Sequence, residues 1–336
     1  MEQKQVLRLG AGAVILAISI RLLSAGFFQP LLSIFGQEKV LSFLIYLETG
    51  RTVRFYDEPG ATVPEPEPVP EETAPTVTEP TGEAPSQTLT FTEADLSDIS
   101  LQYSCDYRPE LAALLTQSLD WNLTDGEPAV LILHSHASET YSDGNYTASG
   151  DYRTLDTEYN MVSIGDEVAR ILEAGGITVI HDRSIHDYPD YTSAYSDARA
   201  SIQAYLKQYP SIRMVLDLHR DAANTTQGQL VTSATAGGQK SAQIMMVVGT
   251  DAGGSNHPNW QENLSLALKL SVLLEQTNPG ISRPINLRSQ RFNLDLSLGS
   301  LLIEVGAAGN THEEALIAAN ALAQAILELA HGANNG

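Results

Sequence analysis

From residue 92 onward, short apolar runs alternate with amphipathic stretches of helical length, and this alternation restricts the fold more than any other feature of the chain. Strands are predicted at 130–133, 178–181, 214–218, 244–249 and 301–305, each a β-rich or apolar run bounded by turn or polar residues. Helices are predicted between them. In "NMVSIGDEVARILEAGG" the apolar residues Val162, Ile164, Val168, Ile171 and Leu172 recur at helical spacing, and Gly175 and Gly176 stop the pattern. Segments 191–209, 259–275 and 312–329 read the same way. Strands that alternate with helices of this length need crossover connections, which puts the strands parallel and the helices on the sheet's faces. The expected fold class is therefore α/β, a three-layer domain around a mostly parallel, twisted sheet.

Upstream of this domain the texture differs. Residues 58–87, "EPGATVPEPEPVPEETAPTVTEPTGEAPSQ", are dense in Pro and Glu, and no Lys or Arg occurs from 55 to 107. Such a segment repels itself and has too little apolar surface to order, so it reads as an extended tether. Before it, "LGAGAVILAISI" at 9–20 is free of charge, Arg21 breaks the run, and "LLSAGFF" and "PLLSIFG" resume it. Lys4 and Arg8 precede the run, the arrangement of a cytoplasmic amino terminus with everything downstream exported. This is read as a signal anchor. A cleaved signal peptide and an amphipathic surface helix are the other readings, because twelve clean residues are short for a membrane span of about 20. The expected organisation is a cytoplasmic tip and anchor at 1–36, a juxtamembrane segment and linker at 37–91, and a catalytic domain at 92–336 outside the cytoplasm, on a single-pass cell-membrane protein.

The 336 residues carry a formal charge of −22, which excludes nucleic acid and anionic membrane faces as partners for a basic patch. Cys105 is the one cysteine, so neither an intramolecular disulfide framework nor a multi-cysteine zinc site is available. Any metal chemistry must rest on His, Asp and Glu.

Ligand sites in open α/β sheets form beyond the carboxyl ends of strands, and three such ends carry suitable residues. "LILHSHASE" supplies His134, His136 and Glu139; "MVLDLHRDA" supplies Asp217, His219, Arg220 and Asp221; "SLLIEVGAAGN" supplies Glu304. Two histidines and a carboxylate suit a catalytic zinc, and a further carboxylate can move the proton of its water. His136, Glu139 and His219 are the expected ligands. His134, placed by alternation on the strand face of His136, is a substrate or supporting residue, with the opposite assignment open. Glu304, alone at the end of an apolar strand, is the expected general base and then acid. Arg220 is a candidate contact for a substrate carboxylate. His181, His186, His257, His312 and His331 lack a partner set and read as loop, strand-end or helix-end residues.

Four ordered pieces resemble the stage II sporulation protein P family of endospore-forming bacteria: "LILHSHASETY", "NMVSIGDEVARILEAGGITVIHD", "LDLHRDA" and "RFNLDLSLGSLLIEVGAAGNTHEEA". They span nearly all of 129–329, and the anchor and linker match the family's layout. The resemblance implies the zinc amidase fold. It also implies a Zn2+-dependent enzyme of peptidoglycan, chiefly an N-acetylmuramoyl-L-alanine amidase with endopeptidase activity on cross-links. It implies work at the engulfing septal membrane during sporulation beside the lytic transglycosylase stage II sporulation protein D. Carried over, the family's ligands become His136 or His134, Glu139 and His219, with Glu304 catalytic. In the wider zinc amidases the ligand Glu lies just ahead of an Asn that opens a helix, so Glu158, which precedes Asn160, competes with Glu139. A zinc carboxypeptidase or endopeptidase acting on stem peptides, and an inactive wall-binding scaffold, are the competing classes. A polysaccharide deacetylase fits less well, because the first motif lacks paired aspartates.

Overall fold

The computed structural model describes residues 89–333 apart from 120, 144–151 and 227. The expected anchor and most of the expected linker lie outside the described residues. A seven-stranded sheet runs through the domain in the order β1-β10-β9-β11-β4-β2-β3. Its strands are β1 (Leu101–Ser104), β2 (Val130–Leu133), β3 (Val179–His181), β4 (Met214–Asp221), β9 (Ile244–Gly249), β10 (Ile285–Arg288) and β11 (Ser300–Ala307). Between β4 and β9 the chain makes two small hairpins, β5 (Asn224–Thr225) with β6 (Gly228–Gln229) and β7 (Ala234–Ala236) with β8 (Gln239–Ser241). Five of the six neighbouring pairs in the large sheet are parallel, and β9 against β11 is antiparallel. The sheet thus consists of two parallel blocks that meet head to tail. In the block β11-β4-β2-β3 all carboxyl ends fall on one edge, and every candidate site residue sits there.

Helices α1 (Leu111–Thr116), α2 (Met161–Ala174), α3 (Ala194–Gln208), α4 (Trp260–Thr277) and α5 (His312–Ala333) cover the sheet. The faces are covered unequally. Val130, Ile132, Met214, Leu216, Leu301 and Ile303 turn to one side and form the main core with α2, α4 and α5. Leu131, Leu133 and Val215 turn to the other, where α3 supplies Ala198 and Ile202. A smaller cluster of Met245, Val247, Leu294 and Leu302 continues that second layer. One long helix and a loop therefore cover the α3 side, which leaves space beside them at the carboxyl edge. Among the described residues α5 is the helix long and apolar enough to cross a membrane, but 61% of that stretch is buried inside the protein, the signature of a core helix.

Local chemistry explains where the elements start and stop. Asn160 opens α2 from an extended conformation, its side chain accepting from the Val162 amide at 3.0 Å. After β11 the chain must turn sharply, and Gly306 does so at φ +75°, where an added Cβ would meet Ala242 at 2.8 Å. Buried Asn310 then ties that turn together: Oδ1 accepts from the amides of Ala307 and Thr232, and Nδ2 donates to Thr232 O and Glu314 at 2.7 Å. Asn310→Ala leaves several buried partners unmet, so a loss of about 3 kcal/mol is expected in urea unfolding.

Candidate metal centre

β2 ends at Leu133 on the α3 side, so His134 turns to the α2 side. It is fully buried there. Its Nδ1 donates to the Leu218 carbonyl at 3.0 Å, and its Nε2 lies 2.9 Å from His181 Nε2. His181 Nδ1 is in turn 3.0 Å from Asp166. Burial, helped by His181, pushes the His134 imidazole down to about 3 and keeps it neutral. Gly165 makes room for the pair, since a Cβ there would fall 2.7 Å from His134 Nε2 and closer still to His181. The expectation that His134 shares a face with His136 is corrected, because the strand has already ended. His181 also proves to have a partner set, as the link between His134 and α2.

The residues after His134 form a pinned turn. Asp217 of β4 accepts from the Ser135 amide at 2.7 Å and from its hydroxyl, and Asp187 accepts from the Ser138 amide at 3.1 Å. The Glu139 amide donates to His136 O at 3.1 Å, which closes one turn and sets the side chains of His136 and Glu139 side by side. Their nearest atoms, Nδ1 and Oε1, are 3.6 Å apart. From β4, His219 brings Nδ1 to 3.5 Å from Glu139 Oε2, while its Nε2 faces Asp217 Oδ1 at 2.8 Å. One donor atom from each of His136, Glu139 and His219 lies within 4.8 Å of the others. The structure brings these three together, whereas His134 points away from them and Glu158 is exposed at the approach to α2.

The electrostatics of the cluster suit a cation. Burial raises the cost of the Glu139 carboxylate, but Arg220, His136 and His219 outweigh it and hold the group well below the usual range. Burial likewise opposes charge on His219, and Asp217 with Glu139 overcomes it, holding the ring well above its ordinary value. Two imidazoles and a carboxylate oxygen thus converge at a point flanked by the buried carboxylates of Glu139 and Asp217. A divalent metal ion that takes imidazole and carboxylate donors would fit there. Asp217 fixes which nitrogen of His219 is left to face the cluster. Asp217→Asn is expected to weaken zinc affinity by about 10–100-fold in competition with a chelating dye.

Glu304 completes the site from β11, in register with His219 of β4 on the same sheet face. Its Oε2 is buried and, among the described residues, has no hydrogen-bond partner. Burial pushes its carboxyl up to about 8, with His219 and Arg220 opposing the shift and Glu139 and Asp221 adding to it. Such a group is neutral or charged near physiological pH according to what lies beside it, which suits proton transfer.

Arg220 does not reach outward. It is 3% exposed, donating through Nε to Thr140 O and through a terminal nitrogen to Tyr152 O, both at 3.0 Å, with its backbone amide toward Glu139. Its expected contact with a substrate carboxylate is corrected: strand alternation turns it away from His219, into the scaffold around Glu139. Three residues missed in the sequence frame the opening. Tyr191 stacks on His136 with ring centroids 4.7 Å apart, and Tyr195 meets His136 edge-on at 5.2 Å and lies parallel to His219 at 6.4 Å. Arg153 joins Asp187 at 2.6 Å and Glu139 at 3.3 Å, and its guanidinium sits over Tyr191. The four-residue spacing of Tyr191 and Tyr195 signals a shared helical face, but nothing in the sequence says what that face meets.

The domain is thus a mostly parallel α/β sheet that carries, at one carboxyl edge, a His-Glu-His cluster compatible with a metal ion and, among the described residues, a buried Glu304 Oε2 without a hydrogen-bond partner. A family model described as stage II sporulation protein P matches residues 59–327. The chain belongs to the stage II sporulation protein P family. Its relative of that name in Bacillus subtilis (strain 168) is 27% identical over an alignment of 217 residues that covers 61% of this chain and 52% of the relative, so the match spans about half of that relative's length. Among solved structures, the CwlD amidase of Clostridioides difficile, in complex with the GerS lipoprotein, is 15% identical with a TM-score of 0.39 over 60% of this chain and 98% of that one. The N-acetylmuramoyl-L-alanine amidase AmiC2 of Nostoc punctiforme is 14% identical with a TM-score of 0.38 over 60% and 96%.

Proposed function

We propose that the chain is a zinc-dependent peptidoglycan hydrolase, an N-acetylmuramoyl-L-alanine amidase, acting on septal wall during sporulation. The observation that carries this reading is the convergence of His136, Glu139 and His219 beside the buried, unpartnered Oε2 of Glu304. His136, Glu139 and His219 would hold the ion. Bound zinc supplies Lewis acidity, which polarises a carbonyl and makes water a nucleophile near neutral pH. Glu304 accepts a proton from the attacking water. As the bond between the lactyl carbonyl carbon and the L-alanine nitrogen breaks, Glu304 returns that proton to the nitrogen, which leaves as an amine. Asp217 keeps His219 in the tautomer that faces the ion, and Arg220 with Arg153 holds the Glu139 carboxylate in place. Family membership supports the wall substrate and the sporulation role, and the apolar run at 9–20 supports anchoring through residues 1–36 with the catalytic domain outside the cytoplasm. A role in engulfment and a partnership with the lytic transglycosylase stage II sporulation protein D belong to the same reading.

Incubating the full chain with purified peptidoglycan and identifying the released fragments by mass spectrometry tests the reading. Stem peptides with a free L-alanine amino terminus, lost on chelation and restored by zinc, are expected. Cross-link cleavage without such peptides replaces the amidase by an endopeptidase, and wall binding without release favours a scaffold.

A further inference from the structure

The sequence motif "RFNLD" at 291–295 has no part in the proton transfer, yet it packs against Tyr195, whose ring borders His136 and His219. Phe292 lies against the Tyr195 ring at 5.9 Å, and Asn293 Nδ2 donates to Tyr195 O at 2.7 Å. Asp295 takes a bidentate contact from Arg199, both distances 2.8 Å, and a longer one from Arg291 at 3.5 Å. Phe292 and Asn293 both adopt left-handed backbone, at φ 50° and 62°. For a phenylalanine that conformation carries strain, and strain of this kind collects where a site must be shaped. The turn is held by close backbone packing, for Gly253 would bring a Cβ to 2.5 Å from Ser289 O.

The segment forms one wall of a groove of about 610 Å³ that begins at Tyr195, the ring lying over His219. Arg199, Ser289, Gln290 and Arg291 line it. Its charge runs against that of the molecule. The chain as a whole is at −22, whereas the groove walls supply two guanidinium groups and the one carboxylate between them, Asp295, is shared by both. Arg199 spends both terminal nitrogens on Asp295. Arg291 makes only the longer contact and is 36% exposed at its side chain, so it keeps donors for a ligand. Arg220, expected from sequence to meet a substrate carboxylate, is sequestered beside Glu139, and the groove supplies the cation that a carboxylate would need.

We propose that this groove is the subsite for the peptide portion of the substrate, with Arg291 binding one of that peptide's free carboxylates. The inference rests on the amidase reading for the identity of the peptide, which carries its carboxylates a few bonds from the amide that is cut. A guanidinium fits a carboxylate by charge-assisted hydrogen bonds, often two in parallel, so removal of either partner costs affinity and specificity together.

Binding of a soluble L-alanyl-γ-D-glutamyl peptide to the full zinc-loaded chain tests this without turnover, because the peptide lacks the lactyl group. Calorimetric titration compares the peptide bearing free carboxylates with its fully amidated form. The wild-type chain is expected to prefer the free form by about tenfold. Arg291→Gln is expected to bind both forms equally, with zinc content and thermal midpoint unchanged, while Arg291→Lys retains part of the preference. Equal binding of the two peptides by the wild type, or a preference that survives Arg291→Gln, overturns the proposal. Failure of the amidase reading is distinguishable, since it would leave the carboxylate preference in place while no L-alanine-terminated peptide is released from wall.

Discussion

Glu304→Gln is expected to lower kcat by about 10²–10⁴-fold while the chain still binds one zinc, because the amide has the shape of the carboxyl but cannot take a proton from water. KM should change little, since the residue acts on the proton and not on the ground-state contacts. The same substitution should alter stability in a direction opposite to most active-site damage. In the metal-free chain burial pushes the Glu304 carboxyl up to about 8, against an ordinary value of 4.5. The folded state therefore binds more protons than the unfolded state between those two values, and stability falls as pH rises through the window. Below about pH 4.5 the group contributes in full, and above about pH 8 the contribution is gone. Glutamine removes the charged form altogether. Chelated Glu304→Gln should match the wild type near pH 4 and exceed it by up to about 5 kcal/mol well above pH 8, as read from urea unfolding at the two pH values. A variant that is slower, still metal-loaded and more stable at high pH is hard to explain as misfolding.

The second large effect is expected from His219→Ala. This change removes a zinc donor and the hydrogen-bond partner of Asp217 together, and leaves Glu139 with less positive charge around it. Zinc binding should be lost. Stability should fall by about 3–5 kcal/mol, the usual cost of leaving a buried charge without its partner. Added zinc should raise the thermal midpoint of the wild type, since saturation at about a thousand times Kd stabilises a folded chain by roughly 4 kcal/mol. The variant's midpoint should not respond. Differential scanning calorimetry with and without zinc measures both parts, and a zinc-dependent rise that persists in His219→Ala would place the ion elsewhere.

Much of this architecture is legible in the residues, for reasons that also mark where legibility ends. Val130–Leu133 and Ile244–Gly249 begin and end where the sequence says, because each is an apolar run with sharp borders and full burial on both faces. β1 and β10 escape notice: "LQYS" and "INLR" are short and mixed, and what makes them strands is pairing with each other and with β9 across long stretches of chain. β4 runs three residues further than its apolar core, through His219, Arg220 and Asp221, because β11 pairs with it there. The composition of that extension looks like a loop.

The candidate site divides in the same way. Residue types at strand ends suffice to nominate His136, Glu139, His219 and Glu304, since parallel strands deliver their carboxyl ends to one edge. Orientation is harder. The two-residue alternation that would put His134 with His136 applies only while the strand continues, and it stops at Leu133. Arg220 follows His219 directly, and on a strand that adjacency is what turns it away. Tyr191 and Tyr195 reach the centre through tertiary packing at the start of α3, and Arg291 reaches the adjoining groove through the 291–295 turn, for which no local pattern exists.

Metal analysis of the full chain and its variants tests the central claim most directly. After removal of loosely bound ions, inductively coupled plasma mass spectrometry should find one zinc per wild-type chain, one in Glu304→Gln, and none in His136→Ala, Glu139→Ala or His219→Ala. An unmetallated wild-type chain in zinc-replete buffer, or full zinc content in those three alanine variants, would contradict the account.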